Sequence, residues 1–388
     1  MLERPNHAAQ TLLSFEAADP LHMEIDLHAL ETNYRAVKEC IGPGVQIIAS
    51  VKGNGYGAGV AAIAATLEKV GAYGVATGGI RDALAIRQAG NRIPIHMFPG
   101  ILPEAIGVLY ENDLMPSIYT NELADAASEV ARKPWKVFVK VDSGLGRVGI
   151  PVEEAETFVL DLARKPNILV EGIFTHLPFA DAAGKSWAAE GLERFDDLVA
   201  RIERKGLQIP IRQSVATTGV LMRLKSACNA VCVGHLLFGG LGRLRPEFTH
   251  IPEFRPVHKS IRTRLINVRH YKTDSVAGAG GKISMKAGTV TGTIPIGLHE
   301  GYRAGAPGQT PQMLVGAVRV PVLFVSQEYS VLDLTTVDQP QVGDEVFVLG
   351  GNGSNRITIE EIAKWQDTSP LHVVMAMDGT MPKYYRGF

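Results

Sequence analysis

The sequence is short of several features, and each shortage argues against a class of protein. It has three cysteines in 388 residues, Cys40, Cys228 and Cys232, too few for a disulfide scaffold, which predicts a reducing cytoplasmic location. It has no run of about 18 apolar residues, so we expect no membrane-spanning helix. Neither charge predominates, because 39 Lys and Arg residues face 40 Asp and Glu residues. This balance argues against nucleic acid or an anionic membrane as partner.

Motifs for metal binding and secretion are also missing. Cys228 and Cys232 do not have the spacing of a zinc site, and no further Cys or His cluster completes one. We therefore expect no metal. Residues 1–21 lack a basic start followed by an apolar run, so we expect an N-terminal extension and not a secretory signal.

Residues 22–245 alternate between short runs rich in Val and Ile and segments with a helical pattern. The runs lack polar alternation, which is typical of parallel strands buried on both faces. Roughly eight strand–helix pairs in this span predict a (β/α)8 barrel. A doubly wound sheet is the alternative, but the glycines after the first run do not follow the G-x-G-x-x-G spacing that it needs.

Residues 246–388 have a different sequence pattern. Runs such as QMLVGAVRVPVLFV and YSVLDLTTV alternate in polarity or are rich in β-branched residues, and Gly, Pro and Asp separate them. This pattern predicts a C-terminal antiparallel β domain. One helix is predicted within it, starting after Thr358 with an acidic first turn.

Lys52 follows the first apolar run, in the segment SVKGNGYGAG (50–59). The C-terminal ends of barrel strands form the mouth where catalytic residues gather. A lysine desolvated there loses its proton readily and can form a Schiff base with an aldehyde. The alternative is a structural lysine whose side chain reaches solvent.

Further polar residues follow later strands. Lys140, Asp142 and Arg147 lie in KVFVKVDSGLGRVGI (136–150), and His176 lies in GIFTHLPFAD (172–181). Strand ends again predict the barrel mouth, although a surface ion pair and a structural histidine are the simpler alternatives.

Hydroxyls and glycines follow the last two predicted strands. Late loops of barrels commonly bind phosphate through backbone N–H groups. The residues suited to this are Thr217, Thr218, Gly219 and Gly234.

Taken together, these segments resemble the alanine racemase family over almost the whole chain. VKGNGYGAG, VKVDSGLGRVG, THLPFAD and IPIGLHEGYR (294–303) are similar to the motifs of that family in order and spacing. The resemblance implies a barrel with a C-terminal β domain, pyridoxal 5′-phosphate as cofactor and racemisation of a small amino acid. It also implies a homodimer in which the β domain of one chain completes the active site of the other.

The resemblance further implies roles for single residues. Lys52 would carry the cofactor covalently, Arg147 would orient the substrate carboxylate, and Lys140 would support it. The other implied positions are Tyr56, Thr218 and Gly234 at the phosphate and His176 beside the cofactor.

Two positions depart from the pattern of the family. Leu298 stands where the family has the tyrosine that is its second proton-transfer base, and leucine cannot transfer a proton. Cys232 stands where the family has an arginine bonded to the pyridine nitrogen, and a thiol is only a weak donor. We therefore expect an altered second base and an altered substrate.

Four residues are candidates for the replacement base. They are His299, Glu300, Tyr302 and His176. If 294–303 is a strand, its alternation argues against His299, because successive strand residues point to opposite faces.

Three functions stay open at this point. The first is an amino-acid racemase with an altered base or substrate. The second is one-faced pyridoxal-phosphate chemistry on the same fold, such as aldolase or transaldolase cleavage, elimination or decarboxylation, which needs only Lys52. The third is a non-catalytic pyridoxal-phosphate carrier, which would not need Lys140, Arg147 or His176.

Overall fold

The computed structural model describes residues 20–179, 181–241, 253–377 and 381–387. The chain divides into two compact units: Leu27–Val257, and a second unit in which the residues up to Asp26 join His258–Gly387. Most of the predicted N-terminal extension, and the predicted boundary between residues 245 and 246, lie outside the described residues.

The unit Leu27–Val257 is built on a parallel sheet whose two ends meet at Pro116. Leu114–Met115 and Ser117–Ile118 are the outer segments of the sheet, and only Pro116, which has no N–H to donate, separates them. Taken as one interrupted strand, they make eight strands in the described part of this unit, so the predicted (β/α)8 barrel is confirmed. In sheet order the segments are Leu114–Met115, Ile95–Met97, Gly74–Thr77, Gln46–Ser50, Ala230–Val233, Ile211–Ala216, Ile168–Phe174, Trp135–Asp142 and Ser117–Ile118, and Ile150–Pro151 adds to Trp135–Asp142.

The interior of the barrel is filled by apolar side chains, one from each of seven strand segments. A packed interior leaves no channel, so functional groups have to lie at the ends of the strands. The buried cluster consists of Ile48, Ala76, Met115, Phe138, Phe174, Ile211 and Ala230.

Helices follow the strands around the barrel, as the sequence pattern predicts. Asn121–Val130 begins with a Thr120 side chain that accepts a hydrogen bond from the Leu123 N–H, a standard helix start. The helices of this unit are Leu27–Ile41, Val60–Lys69, Ile80–Gln88, Ile106–Glu111, Asn121–Val130, Ala155–Leu162, Ala182–Arg204 and Thr217–Leu221, with a 3₁₀ turn at Pro103–Ala105.

The second unit is a largely antiparallel sheet, which confirms the predicted β domain. In sheet order its strands are Asn267–His270, Val290–Ile294, Ser330–Asp333, Val318–Val325, Gln312–Val315, Glu345–Asn352, His258–Arg264, His22–Asp26 and Lys383–Arg386, with Asn355–Ile357 beside Glu345–Asn352. A separate hairpin pairs Ser275–Ala277 with Ile283–Met285, next to a short turn at Ala279–Gly281, and two helices, Ile359–Trp365 and Pro370–Ala376, complete the unit.

The strand His22–Asp26 lies in a different unit from the one expected. The sequence pattern places it at the start of the barrel domain, but it pairs with His258–Arg264 and Lys383–Arg386 in the β sheet. The carboxylate of Glu24, which is 4% exposed, accepts hydrogen bonds from the guanidinium groups of Arg262 and Arg386. These partners lie more than 200 residues away along the chain, so local pattern could not reveal them.

The helices within the described residues include none that is both long and apolar enough to cross a membrane.

Candidate active site

Lys52 begins a left-handed turn just beyond the C-terminal end of strand Gln46–Ser50. The four residues after it, Gly53 to Tyr56, have φ angles of 63°, 52°, 66° and 54°. A desolvated lysine is expected here from the sequence, but the Lys52 side chain is exposed. Lys52 comes two positions after the strand end and before the left-handed residues, so it lies at the rim of the barrel.

Tyr56 and Gly234 form a tight cradle near Lys52. Tyr56 is 2% exposed, and its hydroxyl lies 3.4 Å from Ser50 Oγ. A Cβ atom on residue 234 would lie 2.2 Å from Tyr56 Oη, so any side chain there would displace the phenol. Glycine at position 234 therefore lets the backbone beyond strand Ala230–Val233 come into direct contact with the buried Tyr56 hydroxyl.

Thr218 and Cys232 lie on the same side of the barrel. Thr218 is in the short helix Thr217–Leu221, which directly follows strand Ile211–Ala216. Cys232 is on strand Ala230–Val233, and its side chain packs against the apolar barrel interior. Burial raises the pKa of the Cys232 thiol to about 12, against a smaller opposing effect of the Lys52 charge. Cys232 is therefore a neutral thiol at neutral pH, close enough to Lys52 to respond to its charge.

The loop that carries Arg147 is held by the carboxylate of Asp142. Asp142 Oδ1 accepts hydrogen bonds from the N–H groups of Gly144 and Leu145, at 2.9 and 2.8 Å, and Oδ2 accepts one from Arg147 N–H at 3.1 Å. The carboxylate is therefore occupied by backbone and is not the partner in a surface ion pair. Arg147 itself is exposed and free to meet an anionic ligand.

His176 lies just beyond the C-terminal end of strand Ile168–Phe174, at the same edge of the parallel sheet as the predicted basic residues. Burial, and after it the positive charges of Arg147, Lys140 and Lys52, lower the pKa of His176 to about 4. Lys140 lies near the C-terminal end of strand Trp135–Asp142, Arg147 lies in the loop after that strand, and Lys52 lies just beyond Gln46–Ser50, so the parallel sheet places them at the same end of the barrel. The imidazole of His176 is therefore neutral at neutral pH.

Lys140 is the most deeply buried cation of this group, 2% exposed. Its Nζ donates to the Val141 carbonyl and lies 5.3 Å from the centroid of the Phe174 ring. Burial lowers the pKa of Lys140 to about 8; the Asp142 carboxylate opposes this shift and Arg147 adds to it. Burying a charged lysine lowers the stability of the folded chain, so we expect Lys140 to have a role in the active site.

We expect Lys140→Met to be more stable than the wild type below pH 8. The unfolded lysine titrates near pH 10.4, so below pH 8 the folded chain carries the full penalty of burying a charged amine, about 3 kcal/mol for a shift of this size. Between pH 8 and about 10.4 the unfolded chain binds more protons than the folded one, so the wild type gains stability and the difference shrinks.

Urea unfolding of both proteins at pH 7 and pH 10 measures this difference. Lys133→Met, at an exposed position just before the same strand, controls for the loss of a lysine. A Lys140→Met protein that is less stable than the wild type at pH 7 would contradict the argument.

The predicted segment at Leu298 is a turn and not a strand, which corrects the alternation argument against His299. The N–H groups of Leu298 and His299 donate to the carbonyls of Ser326 and Gln327, at 3.0 and 2.8 Å. Both backbone N–H groups thus bond to the same neighbouring segment, and both side chains are exposed to solvent; Leu298 is 55% exposed.

Tyr302 and Glu300 are poorer candidates for the second base. Tyr302 is completely buried, its hydroxyl finds no hydrogen-bond partner among the described residues, and burial raises its pKa. Glu300 Oε2 accepts a hydrogen bond from Gly297 N–H at 2.8 Å, which closes the turn. Tyr302, one of the four candidates for the replacement base, is therefore not accessible, because its ring is part of the core.

Several residues near the site were not expected from the sequence. Ser50 contacts the Tyr56 hydroxyl, and the His235 ring packs edge-on against Tyr56, with ring centroids 5.5 Å apart. Asp82 accepts a hydrogen bond from the lysine turn. Ser50 lies in the segment 50–59 but had no predicted role, and the contacts of His235 and Asp82 depend on segments that the closed barrel brings together.

Comparison with known proteins is consistent with this arrangement. The family profile described as "Alanine racemase, N-terminal domain" matches residues 25–242, and that described as "Alanine racemase, C-terminal domain" matches residues 259–385. The alanine racemase of Syntrophobacter fumaroxidans is 32% identical over 346 residues, covering 88% of this chain and 91% of that protein. The alanine racemase of Halothermothrix orenii is 29% identical over 373 residues, covering 95% and 97%.

A solved structure extends the likeness to three dimensions. The alanine racemase of Bacillus anthracis with bound L-Ala-P superposes with a TM-score of 0.84 at 25% identity, covering 95% of each chain. Fold and relatives thus define an isomerase of the racemase class, in a family that depends on pyridoxal phosphate. The chain belongs to the alanine racemase family, as the resemblance of its motifs predicted.

Proposed function

We propose that this chain is a pyridoxal-phosphate-dependent racemase of a small amino acid, with Lys52 as one proton-transfer group and a changed group on the opposite face. The observation that carries the proposal is the position of Lys52, Lys140, Arg147 and His176 at or just beyond the C-terminal ends of strands in one parallel barrel. The names of the relatives support alanine, or an amino acid of similar size, as the substrate.

The residues present fit pyridoxal phosphate. The Tyr56 hydroxyl, which contacts the backbone of Gly234, would hold its phosphate together with Thr218, which lies on a short helix that directly follows a strand end. Lys52 would bind its aldehyde carbon, and Cys232 would lie towards its ring nitrogen. When bound, the cofactor withdraws electrons and so acidifies the hydrogen on the substrate Cα.

Residues of the chain bind the substrate carboxylate and transfer the Cα proton. The Arg147 guanidinium orients the substrate carboxylate, since it is exposed and its loop is held by Asp142. The Lys52 amine takes or returns the Cα proton on one face. The neutral imidazole of His176 adds no further positive charge to a site that already holds three cations.

Racemisation also needs a proton donor on the opposite face, and we propose His299 for this role. Its side chain is exposed on the turn beside Leu298, whereas Tyr302 is buried and the Glu300 carboxylate is already bonded. Imidazole is the side chain most often used for proton transfer near neutral pH.

A homodimer belongs to the same proposal. His299 would act in the active site of a second copy, as the likeness to the family implies, and a two-fold interface would give two equivalent sites. A cytoplasmic location is the matching expectation for a chain with three cysteines, all free thiols in the described residues.

The test is hydrogen exchange at Cα in deuterated water. The enzyme with pyridoxal phosphate is given the L- and D-forms of a panel of amino acids, and deuterium content and chirality are measured together. A racemase incorporates deuterium and inverts either enantiomer, at a rate on the order of 10 per second for its proper substrate. Free pyridoxal phosphate at the same concentration is the control.

The same experiment separates the alternatives. Exchange with retained configuration, or loss of the amino acid to another product, would indicate one-faced chemistry instead. A carrier protein would give no more exchange than the free cofactor. Either result would overturn the proposed racemase.

A further inference from the structure

The turn that presents Lys52 has an unusual backbone that something must stabilise. Four successive residues are left-handed, and two of them, Asn54 and Tyr56, are not glycine. Left-handed conformations disfavour residues with a Cβ, so such a run persists only where its surroundings hold it. Gly53 and Gly55 make the turn possible, but they do not by themselves select it over other conformations.

One carboxylate bonds directly to this turn. Asp82 Oδ2 accepts a hydrogen bond from Asn54 N–H at 3.3 Å, two residues after Lys52. The same oxygen accepts one from Thr77 Oγ at 3.0 Å, and Thr77 is completely buried at the end of the neighbouring strand. Asp82 thus connects the lysine turn to a rigid part of the barrel.

Asp82 is not needed to cap its own helix. It is the third residue of helix Ile80–Gln88, where an acid would normally accept a hydrogen bond from the N–H of the capping residue, Gly79. Here Gly79 N–H donates to Thr77 Oγ instead, at 3.2 Å. The carboxylate is therefore left to bind the turn.

A second contact continues the connection on the other side of the turn. Asn54 Oδ1 accepts a hydrogen bond from Val60 N–H, the first residue of the next helix, at 2.9 Å. Asn54 is therefore held at its backbone by Asp82 and at its side chain by Val60. A change in Asp82 is expected to be felt mainly by the segment from Lys52 to Tyr56.

We propose that Asp82 is a positioning residue for Lys52: it holds the left-handed turn and so fixes where the lysine amine meets the cofactor. The role in positioning rests on the proposed function of Lys52, whereas the anchoring of the turn does not.

The test uses the purified full-length chain, freed of cofactor and titrated with pyridoxal 5′-phosphate. Asp82→Ala should weaken cofactor affinity at least ten-fold and reduce the visible circular dichroism of the lysine-bound cofactor. Amide hydrogen exchange in residues 53–59 of the cofactor-free protein should become faster. Asp82→Asn keeps an acceptor oxygen of the same shape but not the charge, so its effects should be smaller and in the same direction.

Glu122→Ala is the matched control. Glu122 is also an acid in the first turn of a barrel helix, so its loss reproduces the effect on a helix terminus without touching the lysine turn. It should leave cofactor affinity, circular dichroism and exchange in residues 53–59 unchanged.

The outcomes separate this inference from the proposed function. Wild-type affinity, spectrum and exchange in both Asp82 variants would overturn the role of Asp82, even if one variant had a lower melting temperature. If Asp82→Ala does not fold, Asp82→Asn decides by the same three readouts. A wild type that binds no cofactor would overturn both the proposed function and the positioning role, while the exchange measurement would still decide whether Asp82 anchors the turn.

Discussion

Replacing Lys52 by alanine is expected to remove the visible absorbance of the bound cofactor and to reduce racemisation by more than roughly 10³-fold. Lys52 is proposed both to bind the cofactor aldehyde and to move the Cα proton, and proton transfer alone contributes about 10²–10⁴ in rate. The side chain is exposed at the rim of the barrel, so truncating it removes no core packing. The folded structure should therefore survive the change.

Absorbance spectra and exchange assays on the wild type and on Lys52→Ala measure this effect. Lys69→Ala is the control, because Lys69 is an exposed lysine of the same unit whose amine pairs with Glu31 at 3.2 Å. A Lys52→Ala protein with an unchanged cofactor band would show that another group carries the cofactor.

Replacing His299 by alanine is expected to reduce racemisation by about 10²–10⁴-fold while exchange at Cα continues for one enantiomer. Lys52 would still serve its own face, so that enantiomer would gain deuterium without inversion. The reason lies in the turn at residues 297–301, which leaves His299 exposed where Leu298 has no proton to give. His270→Ala, at an exposed histidine of the same unit, is the control.

Mixed dimers make the His299 experiment sharper. If His299 acts in the site of the partner subunit, Lys52→Ala and His299→Ala chains, each inactive alone, should regain racemisation when they are unfolded and refolded together. One site of each mixed dimer would then contain both groups. Absence of recovery, together with an active His299→Ala protein, would remove His299 from the reaction and favour one-faced chemistry.

The fold was largely predictable because its signals are local. Val- and Ile-rich runs without polar alternation, each followed by a helical pattern, mark a buried parallel sheet, and the structure closes that sheet into a barrel. The helix expected to start after Thr358 is a second local case: the Thr358 hydroxyl and the Glu361 carboxylate form a capping box at that start. Strand His22–Asp26 was assigned to the wrong unit, because a five-residue run does not reveal its pairing partners.

The candidate site was predictable only as a set of strand ends. Lys52, Lys140, Arg147 and His176 each follow a predicted strand, and parallel strands bring their C-terminal ends together, which the shared electrostatic effect on His176 agrees with. The environment of each residue was not predictable. Lys52 was expected to be buried and is exposed. Lys140 is the lysine that is buried and that has the lowered pKa.

The sequence by itself determined the barrel, the β domain and the membership of the family, because each depends on residue type and spacing along the chain. That Leu298 and Cys232 replace residues of the family pattern stays a prediction from the same spacing. Only the tertiary structure decided which side chains remain available for chemistry. Tyr302 is buried in the core, whereas His299 is exposed to solvent. The Asp82 carboxylate accepts a hydrogen bond from the turn after Lys52. These outcomes depend on packing and hydrogen bonds between segments distant in sequence, which no local pattern encodes.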